Sequence, residues 1–180
     1  MEQPGTRSCL EQIVLPHLDA AYNLARWLTR NDHDAQDVTQ DAMLRAYRFI
    51  DGLRGEPRPW LLAIVRNACM SWLKANRPAE LAGALDLEVA EAEPDRGDGP
   101  DALVAREVDR RMLNEAIAAL PPQFREALVL RELEDLAYKD IARIVGVPIG
   151  TVMSRLSRAR RLLADSVRVI AKAANVEASK

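Results

Sequence analysis

The sequence is short of the residues that most small chemistries require. Two cysteines, Cys9 and Cys69, stand in 180 residues, and no spacing between them makes a disulfide framework or a thiolate metal site. The two histidines, His17 and His33, have no acid–base or metal-binding constellation around them. Neither an enzyme nor a metal or cofactor is therefore expected. Glycine is sparse at 8 residues, aromatics make up only 4%, and the alternation that marks strands is hard to find. No apolar run approaches the length of a membrane span. The N-terminus shows no basic region followed by an apolar stretch and cleavage site. A reduced, cytoplasmic protein is expected, in which Cys69, set in an apolar helical pattern, acts as a small core residue.

What is present favours helices. Hydrophobic residues reach 48%, enough for a packed core. Ala, Leu, Arg and Glu are abundant, side chains that lose little freedom on a helix. The formal charge of −2 hides an uneven distribution. Between Ala79 and Ala105 eight acids face one base, whereas between Thr151 and Lys172 six bases face one acid. A near-neutral total thus leaves room for a basic surface that meets nucleic acid.

The fold class read from this pattern is all-α, two small helical domains joined by a flexible acidic linker. Apolar spacing predicts helices over about Leu10–Thr29, Ala35–Phe49 and Trp60–Ala75. Asn31 to Asp34 reads as a turn and N-cap cluster between the first two. The third is apolar on most of its surface and should be central. The acidic segment 79–101 carries Pro94, Gly97, Gly99 and Pro100 and few large apolar residues. It cannot bury enough surface to offset its ordering entropy and reads as the linker. Beyond it, helices are predicted over about Ala102–Ala119, with Leu103, Val108, Met112, Leu113, Ile117 and Leu120 turned inward, and from Pro121-Pro122 to about Leu133. Two more follow, joined around Gly146. The expected boundaries are 8–78 for the first domain, 102–170 for the second, and 171–180 for a C-terminal tail.

Leu136 to Arg161 carries the most information. Ala142 precedes Gly146 by four residues, with Ile141 and Val145 on one side of a short helix. Helix-turn-helix units need a small residue where the second helix crosses and a glycine for the positive φ of the turn. Val147 would plug the angle between the helices, and Val152 and Leu156 would anchor the second one inward. Thr151, Met153, Ser154, Ser157, Arg158 and Arg161 are then candidates for a major groove, with Arg155 and Arg160 placed to fix register on phosphates. A solvated basic helix end is the bland alternative.

Three stretches together resemble a known family. The run from Leu120 to Arg131 (LPPQFREALVLR), then Tyr138–Ala142 and Gly150–Leu156, resembles region 4 of extracytoplasmic-function (ECF) sigma factors. Asp34–Arg48 resembles region 2.2, and Trp60–Asn67 resembles the start of the helix that carries −10 recognition. Regions 1.1 and 3 have no counterpart. The resemblance implies that the second domain recognises the −35 promoter element. It also implies that Asp37, Gln40, Asp41, Leu44 and Arg45 dock on the β′ clamp helices of core RNA polymerase, with a further contact at the β flap. Each of these side chains also fits ordinary helix surface or, for Leu44, ordinary core.

By the same resemblance Arg54, Arg58, Trp60, Asn67, Ser71 and Lys74 would meet the −10 element, where a flipped base needs a pocket and polar groups. Asn67 lies inside an apolar helix, where a buried amide needs partners. Trp60 also fits simple packing. Met153 stands where the family usually has lysine or arginine, and Ser71 where aspartate or asparagine is common. The implied role is promoter-specific transcription initiation in a stress or envelope response, under an anti-sigma factor. Two other readings stay open: a sigma mimic that titrates an anti-sigma factor, and a helix-turn-helix regulator that works without polymerase.

Overall fold

A computed structural model describes residues 12–79 and 103–177. The expected linker, apart from Ala79, lies outside the described residues, as do Cys9 and the last three residues. Seven α-helices follow one another: α1 (Leu18–Thr29), α2 (Asp32–Phe49), α3 (Pro57–Asn76), α4 (Leu103–Ala119), α5 (Pro122–Leu128), α6 (Tyr138–Val145) and α7 (Ile149–Glu177). No strand occurs among the described residues, so the all-α expectation holds.

Three boundaries moved, each for a local reason. The first helix does not run smoothly from Leu10; a single 3-10 turn at Leu15–His17 precedes α1. Pro16 lies in that turn, and a proline there removes an N–H and crowds the preceding carbonyls. α2 starts at Asp32 because Asn31 caps it, its side chain accepting from the backbone N–H of His33 (2.9 Å) and Asp34 (3.1 Å). α3 starts at Pro57, three residues before Trp60, since a proline is well tolerated in a first turn. The helix expected to reach Leu133 does so, but its last stretch, Val129–Leu133, is a π turn.

α1, α2 and α3 pack against one another around Leu24, Leu28, Val38, Ala42, Leu61, Val65 and Cys69. α3 is central, as expected, touching α1, α2 and α6. Val129, Leu130, Ile141, Val152 and Leu156 from the second half join the same cluster. A smaller cluster of Ile117, Leu120, Phe124, Leu128 and Ala159 ties α4, α5 and α7 together. Trp27 packs against both clusters. The two helical groups are therefore present, and they lie against each other with a shared core. Leu113, expected inside, is left exposed one turn before Ile117.

Cys69 is fully buried, and burial pushes its thiol up from the ordinary 9.0 to about 12. Almost no thiolate exists at neutral pH, so Cys69 should resist alkylation in the native protein and react only on unfolding. Mass mapping after timed iodoacetamide exposure checks this. Ionisation of the unfolded chain alone also means that this thiol takes stability away as pH climbs from 9.0 towards about 12.

Candidate nucleic-acid interface

The helix-turn-helix forms as its sequence requires. Ile141, Ile144 and Val145 of α6 and Val152 and Leu156 of α7 are buried between the two helices and the shared core. Arg131 sets the entry to α6: it donates to the Leu136 carbonyl at 2.9 Å and lies 5.2 Å over the Tyr138 ring. Gly146 ends α6 at φ +76°, and its N–H returns to the Ala142 carbonyl at 2.9 Å. A Cβ added there would meet nothing within 4 Å, so the only obstacle to alanine is the backbone conformation. Gly146→Ala should cost about 1–2 kcal/mol in urea denaturation and Gly146→Asn less, because asparagine tolerates that region better. Equal stability of all three would remove the φ argument.

On α7, Ile149, Met153, Ser157 and Arg161 recur every four residues and are all exposed. The other expected groove residues are turned differently. Thr151 is half-buried, and Ser154 donates its hydroxyl proton to the Thr151 carbonyl at 3.0 Å. Arg158 is half-buried, its guanidinium 6.0 Å from the centre of the Phe124 ring. Arg160 bonds Glu132 at 2.6 Å.

Arg155 points away from the exposed stripe. Its guanidinium lies 3.3 Å from Glu126 Oε1, and the same carboxylate accepts two hydrogen bonds from Arg66 of α3, at 2.8 and 3.2 Å. Glu126 is 2% exposed, so the pairing runs through the interior between the two halves. A second buried carboxylate, Glu134, accepts from Arg58 and from Asn23 of α1, the latter at 2.6 Å. Arg125, also buried, donates to the Trp27 carbonyl of α1 at 3.0 Å and twice to Leu120. Sequence reasoning missed all three as internal groups. The available signal was position: Arg125 and Glu126 interrupt an otherwise apolar run from Phe124 to Leu130.

On α3, Asn67, Ser71 and Lys74 share one exposed face at spacings of four and three. The expectation that Asn67 is a buried amide is corrected, because its position faces solvent while Val65, Ala68 and Cys69 face the core. Ser71 donates to the Asn67 carbonyl at 3.0 Å. Arg54 is exposed in the loop before α3, Arg58 is engaged with Glu134, and Trp60 is half-buried against the core, in line with packing.

The face of α2 is settled by burial. Ala35, Val38, Thr39, Ala42 and Ala46 point inward, and Asp37, Gln40, Asp41, Leu44 and Arg45 are all exposed. Leu44 is 56% exposed, which excludes the core alternative. Asp41 pairs with Arg45 at 2.7 Å along the helix. Phe49, the last residue of α2, is 63% exposed and extends this surface.

Two family models match the chain: "Sigma-70 region 2" over residues 13–78 and "Sigma-70, region 4" over residues 110–163. The helical groups are thus those of a sigma-70-type protein. Among curated relatives, the ECF sigma factor SigE of Mycolicibacterium smegmatis is 33% identical over 86% of this chain and 60% of its own length. The RNA polymerase sigma-H factor of Pseudomonas aeruginosa is 32% identical over 89% of this chain and 87% of its own. The ECF sigma-E factor of Escherichia coli is 36% identical over 74% of each. The chain belongs to the ECF RNA polymerase sigma factors. A solved structure of the sigma factor RpoE with the anti-sigma factor NepR, from Bartonella quintana, matches with TM-score 0.67 and 28% identity over 89% of this chain and 97% of that one. CnrH in complex with the cytosolic domain of CnrY shares the fold, with TM-score 0.61 and 22% identity over 89% and 88% of the two chains. No helix among the described residues is long and apolar enough to cross a membrane.

Proposed function

We propose that this chain binds core RNA polymerase and directs initiation at particular promoters, under an anti-sigma factor and in a stress or envelope response. The observation that carries the reading is the presence, in one chain, of two unlike exposed surfaces. One is the mixed apolar and charged face of α2 from Asp37 to Arg45, suited to a helical partner such as the β′ clamp helices. The other is the solvent-facing stripe of a helix-turn-helix, ending in Arg161. Asn67, Ser71 and Lys74 on α3, with Arg54, supply the −10 surface. The second domain meets the −35 element and the β flap.

Contact of Arg58 and Arg155 with DNA requires their release from Glu134 and Glu126. The closed packing of the two halves is therefore a form in which part of the proposed promoter surface is occupied. The solved relative in complex with the anti-sigma factor NepR supports an inhibitor as partner.

Reconstitution with bacterial core polymerase and run-off transcription tests the proposal. Core binding with promoter-dependent transcripts is expected. Failure to bind core ends the reading; core-independent duplex binding would favour a plain regulator, and inhibitor binding without transcription a mimic. Arg160→Ala should weaken promoter binding nearly uniformly across sequences and flatten its log–log salt dependence by about 1, as loss of one phosphate contact does.

A further inference from the structure

The leading end of α7 differs from a basic reading helix. From Ile149 to Ser154 it carries no charged side chain. The first base, Arg155, is directed to Glu126, and Ser154 gives its proton to the Thr151 carbonyl. What this end presents outward is apolar: Ile149 is 47% exposed and Met153, one turn on, 52%. Neither belongs to the anchoring set, since Val152, Leu156 and Ala159 fill that role at 0–1% exposure.

Residues at the N-terminal end of a recognition helix are the ones that reach base edges in the major groove. An uncharged end cannot make the bidentate pairing of arginine or lysine with guanine. Among the groups displayed in that groove, the C5-methyl of thymine is the one that an apolar side chain can cover. We propose that Ile149 and Met153 form an apolar reading patch for one or two thymine methyl groups in the −35 element, and so determine specificity there. This rests on the promoter-recognition reading above. Methionine suits the task because its unbranched, polarisable side chain adapts to an irregular surface.

The test uses the full chain with core polymerase. Duplexes randomised across the −35 element are selected by holoenzyme binding, and each enriched thymine is then replaced by deoxyuridine, which removes only the methyl. Thymine should be enriched at one or two neighbouring positions, and deoxyuridine there should lower run-off output about fourfold, as loss of one buried methyl predicts. Met153→Ala or Ile149→Ala should still support transcription but shrink the thymine–uracil difference, and Met153→Lys should move the preference towards guanine. Equal output from thymine and uracil templates with the unsubstituted chain overturns the patch. So does a Met153→Ala loss that is the same on both templates, which would mark a protein contact instead. Absence of core binding or of any transcript defeats the promoter reading itself, a result distinct from either.

Discussion

Glu126→Ala should lower the unfolding free energy by about 3 kcal/mol, the low end of the cost of removing one partner from a buried ion pair. The low end applies because Arg66 and Arg155 keep 19% and 23% of their side-chain surface in water and can partly rehydrate. The loss comes from the two guanidinium groups left facing a space once filled by a carboxylate, more than from the missing side chain. Glu126→Gln should cost less, since an amide oxygen still accepts from one arginine. The triple variant Arg66→Met, Glu126→Leu, Arg155→Met should recover most of the loss, because well-packed apolar replacements of a buried charged triad are often neutral or stabilising. Urea denaturation of the set checks this, with a single transition expected because both halves share one core. If Glu126→Ala costs under ~0.5 kcal/mol, as an ordinary surface substitution would, the buried triad does not hold the halves together.

The same triad shows where sequence reading stopped. Helix existence and order were legible because they depend on local spacing and caps: Asn31, Pro57, Pro122 and Gly146 act within one turn of where they stand. The helix-turn-helix was legible for the same reason, since Ala142, Gly146, Val152 and Leu156 define it by separation alone. Which outward residues face solvent was not legible, because that depends on what lies across from them. Arg155 and Arg158 occupy positions that look outward on an isolated helix, yet one finds Glu126 and the other Phe124, each about thirty residues away. Asn67 went wrong in the opposite sense: Val65, Ala68 and Cys69 close by in the sequence implied burial, but it falls with Ser71 and Lys74 on an exposed strip of α3. Packing between the halves, carried by Glu126, Glu134 and Arg125, pairs residues up to 111 apart, beyond any periodicity.

Leu44→Asp should leave the fold intact and remove core-polymerase binding by roughly 2 kcal/mol or more, about thirtyfold. The side chain stands opposite the buried stripe of α2 and is 56% exposed, so stability should change by no more than ~0.5 kcal/mol. An exposed leucine alone means little. Here it is ringed by Gln40, Asp41 and Arg45, the arrangement of an apolar centre with a polar rim. Aspartate at the centre would bury an unpaired charge against the partner. The rim itself should contribute little, since the Asp41–Arg45 pair is about half exposed on both sides and such pairs are worth ~1 kcal/mol at most. Asp41→Ala should therefore shift core affinity only a few-fold. Phe49→Ala tests how far the face extends: a loss comparable to that of Leu44→Asp would place the C-terminal end of α2 inside the contact. Core affinity by fluorescence anisotropy, read beside thermal melting of each variant, separates docking from folding. Unchanged affinity for Leu44→Asp would mean that polymerase, if bound, is held by some other surface, and the assignment of α2 would have to be given up.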